Sequence, residues 1–517
     1  MGNADTINKK AIIGVVAITL LSKIFGFARD MVLAYYYGAS SVTDAYLVSI
    51  TIPELLFALV TQAIAVGFIP IFTEIIHKEG QEKADKFTNN ILTIMYALCG
   101  IVVCLTNLFP HTFVNIVAKG FDEPTTTLAI QFVRVTVIVL FLKGTVTIFS
   151  AYAQAKGEFT RPALIGLPLD IVIILFTAIS YYTNSILLAY GMVVASAAQL
   201  LVIAPFVYKQ GFRLKICFNF KDSFVIKMIM LFLPVSIGVG ANQINILIDR
   251  TLASTLAVGG ISAINYANKV GYIMDNVIVL SIVAVMYPSF SKMVAEQNME
   301  GFRQMIEKTI QMVILLMVPI SVGAILFSQP IIRLLFGRGA FDENAIIVTA
   351  SVMSYFSVGM LAVSLRSVLT RAFYALQDIR TPIINSCVAI VINIALNLIL
   401  SRFMGLNGLA LATSISSIIC VIMMLYSFDK KVGNMNNARI ILNLLKVMLA
   451  SAIMGVAAYF SYYIASQSMG DFYPLILATI VCVIIYLPLV IALKVDGFKA
   501  IVIIYKGILI KYTNLKV

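Results

Sequence analysis

Residues 11–37 read Ala11-Ile-Ile-Gly-Val-Val-Ala-Ile-Thr-Leu-Leu-Ser-Lys23-Ile-Phe-Gly-Phe-Ala-Arg29-Asp30-Met-Val-Leu-Ala-Tyr-Tyr-Tyr37. The run is longer than the apolar region of a secretory signal and long enough to cross hydrocarbon, which takes about 20 residues of helix. It is expected to be a retained first transmembrane helix. Lys23, Arg29 and Asp30 inside it would each cost a few kcal/mol at the bilayer centre unless paired or facing water. The first helix therefore combines a membrane length with a reason to hold charge.

The rest of the chain continues in the same way. Of 517 residues, 61% are hydrophobic and 12% charged, with a mean hydropathy of +0.98. Soluble globular chains run near 45–50% apolar and about 25% charged. So many apolar side chains exceed what a soluble core can hide, and the sequence predicts an all-α polytopic membrane protein with 14 transmembrane helices. Hydropathy and turn residues place them near 10–38, 44–76, 87–109, 126–153, 161–181, 185–208, 222–256, 261–291, 304–328, 343–374, 382–401, 406–428, 438–466 and 473–494.

The formal charge of +13 does not point to nucleic acid, because the cations lie in short turns between apolar runs. With alternate turns assigned to opposite sides, 25 Lys and Arg fall on the side of both termini. Only Lys119, Arg333, Arg338 and Arg402 fall on the other. Cytoplasmic turns carry such an excess, so both termini are expected in the cytoplasm. Six cysteines without a C-x-x-C pair and two distant histidines, His77 and His111, predict no disulfide, no metal cluster and no catalytic triad. No catalytic residue and no enzyme activity are expected.

Sliding the chain by about 220 residues superimposes Phe121-Asp122 on Phe341-Asp342, and Arg161-Pro162 on Thr381-Pro382. This repeat predicts two parallel six-helix lobes, 1–208 and 209–430, followed by two further helices within 431–494. Residues 495–517 space Lys499, Lys506, Lys511 and Lys516 among Ile and Tyr. They read as a cytoplasmic interfacial tail on membrane lipids, or as a disordered basic tail. Parallel lobes around a cavity describe a transporter.

The ionisable residues inside helices are Lys23, Arg29, Asp30, Asp44, Glu54, Arg134, Lys143 and Asp170 in the first half. In the second they are Asp249, Arg250, Lys269, Asp275 and Arg366. Seven cations meet six anions, so composition alone does not define an anion-binding cavity. Neutralisation of Lys23 and Arg29 by helix carboxylates stays open beside a role in binding.

The stretch Ser22-Lys-Ile-Phe-Gly-Phe-Ala-Arg-Asp30, followed by Tyr37-Gly38 and Thr43-Asp44-Ala45, resembles the first helix and turn of the lipid II flippase family (MurJ, also called MviN). Phe68-Ile-Pro70, Tyr287-Pro-Ser-Phe-Ser291 and Ala372-Phe-Tyr-Ala-Leu-Gln-Asp-Ile-Arg-Thr-Pro382 resemble family segments in the same order. The resemblance implies the fold of the multidrug/oligosaccharidyl-lipid/polysaccharide exporter superfamily. It also implies outward flipping of the undecaprenyl-pyrophosphate-linked disaccharide-pentapeptide by alternating access, with Arg29 as an essential cavity arginine. Lys23 and Lys269 stand where many members carry arginine, and Phe57 where members often do. Substrate contacts are thus expected from Arg29, Lys23, Lys269, Asp30 and Asp44.

Asn393 and Asn397, four apart on one helix face, could join Asp249 and Thr413 in an oxygen cage for a hard cation, sodium by resemblance. Pairing of Asp249 with Arg250 or Lys269 is the plainer reading. No other cofactor is expected. Two further functions stay open: export of another lipid-linked oligosaccharide, and cation/drug antiport within the same superfamily, which Asp30, Asp44 and Glu54 would suit. The absence of a Walker A loop leaves membrane gradients as the drive.

Overall fold

The computed structural model describes residues 2–470 and 472–498, which form an all-α structure without a strand among the described residues. The helices are α1 (Gly2–Tyr37), α2 (Ser41–Glu79), α3 (Gln81–Leu108), α4 (Pro110–Val117), α5 (Glu123–Thr136), α6 (Val139–Ala155) and α7 (Thr160–Leu164). Then come α8 (Gly166–Tyr182), α9 (Leu187–Lys209), α10 (Ser223–Leu256), α11 (Gly260–Ala295), α12 (Met299–Leu326) and α13 (Ser328–Phe336). The chain continues through α14 (Glu343–Val358), α15 (Met360–Ala375), α16 (Arg380–Met404), α17 (Leu406–Val432), α18 (Asn437–Met469) and α19 (Phe472–Ala492).

Every apolar segment expected from the sequence lies on a helix or a broken helix. Among the described residues, ten helices are long and apolar enough to cross a membrane. Twelve are, if two bent pairs each count as one span: Glu123–Thr136 with Val139–Ala155, at 43°, and Ser223–Leu233 with Val235–Leu256, at 57°. The second bend falls at Pro234, which has no N–H to continue the helical ladder. The count of fourteen remains the expectation that adds α1 and α11. The expected tail lies, from residue 499 on, outside the described residues.

Turn chemistry sets the starts. Ser40, Asp122, Asp222, Asn298 and Asn436 each accept a first-turn amide at the head of α2, α5, α10, α12 and α18, satisfying donors that have no partner inside the helix. Asp342 does the same for Ala345 of α14, at 2.8 Å. Asp122 and Asp342 are the residues the internal repeat superimposes. The repeat is therefore a repeat of capping positions as well as of hydropathy.

The chain divides into two compact units. The first is residues 1–262 with Arg338–Ala345; the second is Ala263–Gly337 with the chain from Ile346 on. In the first unit α2 packs against α10, α5 and α6, and α1 packs on α8. Its core stacks Phe68 on Phe72 and Phe87, and sets Tyr152 against Phe72 and Phe212. Residues Arg338–Ala345 join this unit at the turn after α1, where the Ala340 amide donates to the Tyr35 carbonyl at 2.8 Å. Gly38 there holds φ +63°, and a Cβ on it would lie 2.4 Å from the Ala340 carbonyl oxygen, so glycine is required. In the second unit α16 pairs with α17, α18 with α19, and α12 packs on α18 and α15. Phe302, Phe373 and Phe428 make its aromatic centre. The Phe373–Phe428 rings stand 5.7 Å apart, as do Tyr152 and Phe212 in the first unit.

Candidate functional site

Arg29 sits on α1 with its side chain 24% exposed. Its Nη1 donates to Asp170 Oδ1 at 3.0 Å, and its Nε and Nη2 donate to Asp30 Oδ1 at 3.3 and 3.1 Å. Both carboxylates are buried. Gly26, one turn before Asp30, faces the same carboxylate: a Cβ there would lie 3.4 Å from Asp170 Oδ2, an ordinary contact distance, so α8 brings Asp170 against this face of α1. Neutral pairing and a binding role were both open from the sequence, and the geometry shows that pairing is realised. Asp170 was named as an ionisable helix residue but not as part of a site. Its signal is that a lone Asp in the otherwise apolar α8 needs a cation.

The guanidinium has five N–H donors, of which these bonds take three, leaving two for another acceptor. One cation thus lies between two carboxylates, each of which has further interactions. Lys23, on the same helix, is exposed and makes no ion pair with a described residue. Further along the same unit Lys143 Nζ donates to Glu54 Oε1 at 2.6 Å. Within the apolar stretches of α1, α2, α6 and α8, Arg29 and Lys143 are thus held by carboxylates, whereas Lys23 makes no ion pair with a described residue.

Other residues named from the sequence have different surroundings. Asp44 is almost fully buried and its Oδ1 accepts the Ser262 amide at 2.7 Å, so it satisfies a first-turn donor of α11. Phe57 lies in the first unit's core, with its ring end 2.9 Å from where a Cβ on Gly144 would stand. An arginine pointed the same way would have no water and no partner, so Phe57 packs rather than binds. Asp249 accepts from Asn245 at 3.3 Å, and Arg250 donates to the Ile261 carbonyl at 3.2 Å.

In the second unit Lys269 lies half-buried on α11. Asn397 donates to Asn393 Oδ1 at 3.0 Å, and Asn393 donates to Thr413 and Ser416 at 3.4 and 3.3 Å. Three of the four expected ion ligands are therefore neighbours in one unit, joined by Ser416. Sequence reading missed Ser416, although it lies three residues beyond Thr413 and so on the same face of α17. Asp275, also on α11, accepts from Ser364 at 2.5 Å.

The segment Ala372–Pro382 forms a clip. In the turn between α15 and α16, Asp378 accepts the Thr381 amide and hydroxyl at 3.0 and 2.6 Å and Lys431 Nζ at 2.6 Å. Burial works to raise this carboxyl, but Lys431 and Thr381 outweigh it and hold the pKa down to about 2. At the corresponding turn of the first unit, Glu158 accepts the amides of Thr160 and Arg161 at 3.0 and 3.1 Å.

A helical, internally repeated membrane protein that keeps charge pairs on its apolar helices is a transporter by class. Within that class, the sequence model described as "Lipid II flippase MurJ" matches residues 33–483, and the chain belongs to that family. A protein of Thermotoga maritima named "Probable lipid II flippase MurJ" is 30% identical over 445 residues, covering 84% of this chain and 87% of its own. One of the same name from Buchnera aphidicola subsp. Baizongia pistaciae is 27% identical, over 79% of this chain and 81% of its own. The solved structure "Lipid II flippase MurJ, inward closed conformation" superimposes with a TM-score of 0.79 at 25% identity, covering 92% of this chain and 98% of that one. An inward-facing multidrug resistance MATE family transporter of the MOP superfamily shares the fold, with a TM-score of 0.68 at 14% identity.

Proposed function

We propose that this chain is a lipid II flippase of a bacterial plasma membrane, carrying the lipid-linked peptidoglycan precursor from the inner to the outer leaflet. The observation that carries the reading is the family match over residues 33–483. Its chemical counterpart is a cation at Arg29 with donors to spare. The substrate's pyrophosphate bears about two negative charges and cannot cross hydrocarbon unassisted, so the path needs cations that water or lipid can reach.

Lys23 supplies the uncommitted charge, and Arg29 adds its two remaining donors. Full engagement of Arg29 requires it to give up a bond to Asp170 or Asp30, because a guanidinium held by both carboxylates has only two donors left. That exchange makes binding and rearrangement of α1 against α8 one event, which is what alternating access requires. Lys269 is proposed as the cation of the second unit. Both termini are proposed to lie in the cytoplasm, which the Lys and Arg distribution supports. Sodium is proposed for the oxygens of Asn393, Asn397 and Thr413 in the second unit. An amide and hydroxyl set suits a hard cation.

The drive is proposed to be the membrane potential. Moving one charge through 100 mV is worth about 2.3 kcal/mol, so an inside-negative potential favours an anion leaving and an empty cationic site returning. The test is transport of lipid II, of another lipid-linked oligosaccharide and of a cationic drug by the purified chain in vesicles. Lipid II moving fastest supports the reading. Preference for either of the others overturns it.

A further inference from the structure

Between α9 and α10 the chain runs without helix from Phe212 to Asp222, and it is bound to α3 in an unusual way. The buried side chain of Asn89 donates to the Arg213 carbonyl and accepts the Lys215 amide, both at 2.9 Å. The buried side chain of Asn90 donates to the Asn219 carbonyl and accepts the Asn219 amide, both at 2.8 Å. Between them the Cys217 amide donates to Thr93 Oγ1 at 3.2 Å. Two asparagines and a threonine thus act as a neighbouring strand would, pairing the backbone of one edge of an extended strap.

Four features say where the strap lies. First, Leu214, Ile216, Phe218 and Phe220 are 52%, 93%, 58% and 50% exposed, an alternation that puts one apolar row on a single face of an extended segment. Second, Arg213, Lys215 and Lys221 punctuate that row, with Lys209 and Lys227 just beyond it. Third, the attachment is deepest at Cys217. Thr93 lies seven residues past Lys86 on α3, or about 10 Å along the helix axis toward its apolar part. Fourth, a backbone lowered among lipids must have its polar groups satisfied by protein. The Asn and Thr bonds do that on the side facing α3.

We propose that residues 213–221 form a strap dipped into the interfacial layer of the lipid bilayer, with Ile216 and Phe218 among the upper acyl chains and Arg213, Lys215 and Lys221 at anionic headgroups. The strap lies beside α3, whose exposed face farther along carries Leu98, Ile101 and Leu105, and its basic flanks match the charge of an anionic leaflet. The strap feeds directly into α10, so its lipid contact fixes the level at which that helix starts. A protein partner for the apolar row is the competing occupant.

The chain contains no tryptophan, so one introduced residue is a unique fluorescent reporter. Phe218→Trp is reconstituted in vesicles containing phosphatidylglycerol, with or without lipids brominated near the top of the acyl chain. Leu201→Trp, on the exposed face of α9, reports correct insertion. The expected result is a blue-shifted Phe218→Trp emission that brominated lipid quenches strongly and aqueous iodide weakly, with shallower quenching in Arg213→Gln/Lys215→Gln/Lys221→Gln. If Leu201→Trp is quenched by brominated lipid while Phe218→Trp is quenched only by iodide, the strap is in water and the proposal fails.

Discussion

The Arg29 guanidinium on α1 reaches Asp170 on α8, Nη1 to Oδ1 at 3.0 Å, while sharing Asp30 with its own helix. One cation thus holds two buried carboxylates, and the consequences for stability and for transport separate. Removing the cation alone takes a bonded partner from both buried anions, a loss of up to roughly 3–5 kcal/mol. Arg29→Ala is expected to unfold at a clearly lower temperature, whereas Arg29→Ala/Asp170→Asn recovers much of the loss. Thermal unfolding of the purified variants in detergent checks this, and equal Tm values for the two would show that the pair is not coupled.

Lys23 differs from Arg29 in lacking a carboxylate to neutralise it. Lys23→Ala is expected to leave Tm nearly unchanged and to reduce lipid II transport by roughly 10- to 100-fold. That corresponds to a charged hydrogen bond of about 1.5–3 kcal/mol. Lys23→Arg should retain transport, because it keeps the charge and adds a second donor for phosphate. Initial rates in vesicles at matched protein density decide between these outcomes.

Asp44 was expected among the substrate contacts, and its bond to the Ser262 amide gives a separate, structural prediction. Asp44→Asn keeps an oxygen acceptor for the first turn of α11 and should unfold near the wild-type temperature. Asp44→Ala removes it and should lose about 1–2 kcal/mol. Substrate binding measured on both folded variants tests whether the carboxylate has a further role.

Much of this arrangement was legible because membrane helices announce themselves by length. The fourteen apolar segments all fell on helices, and the Asp122 and Asp342 caps followed the repeat. The short helices α4 and α13 were not expected. Too brief to span, they were absorbed into the ends of their neighbours, though Pro110 and Ser328 stand at the repeat's own offset. Pairing was the illegible part. Asp170 lies 141 residues from Arg29, and only the way α8 crosses α1 brings them together. Phe57 was misleading for the same reason, since a helical position gives the residue's place but not which face is core.

The Asp378 clip predicts a pH dependence with a definite sign. A carboxyl held at about 2 against an ordinary value near 3.9 stabilises the fold above about pH 4 and loses that contribution as pH falls toward 2. Asp378→Asn should therefore be less stable than wild type at neutral pH, with the gap in Tm closing between pH 4 and pH 2. A gap that stays constant across that window would mean that the Lys431 contact contributes nothing.

The most direct measurement places fluorescent lipid II in vesicles containing the purified chain and follows its appearance in the opposite leaflet under an imposed membrane potential. Movement well above protein-free vesicles is expected, slowed when an ionophore collapses the potential, and absent in Arg29→Ala/Asp170→Asn even though that variant recovers much of the lost Tm. Wild-type vesicles indistinguishable from protein-free ones, or a double variant as fast as wild type, would contradict the proposed function.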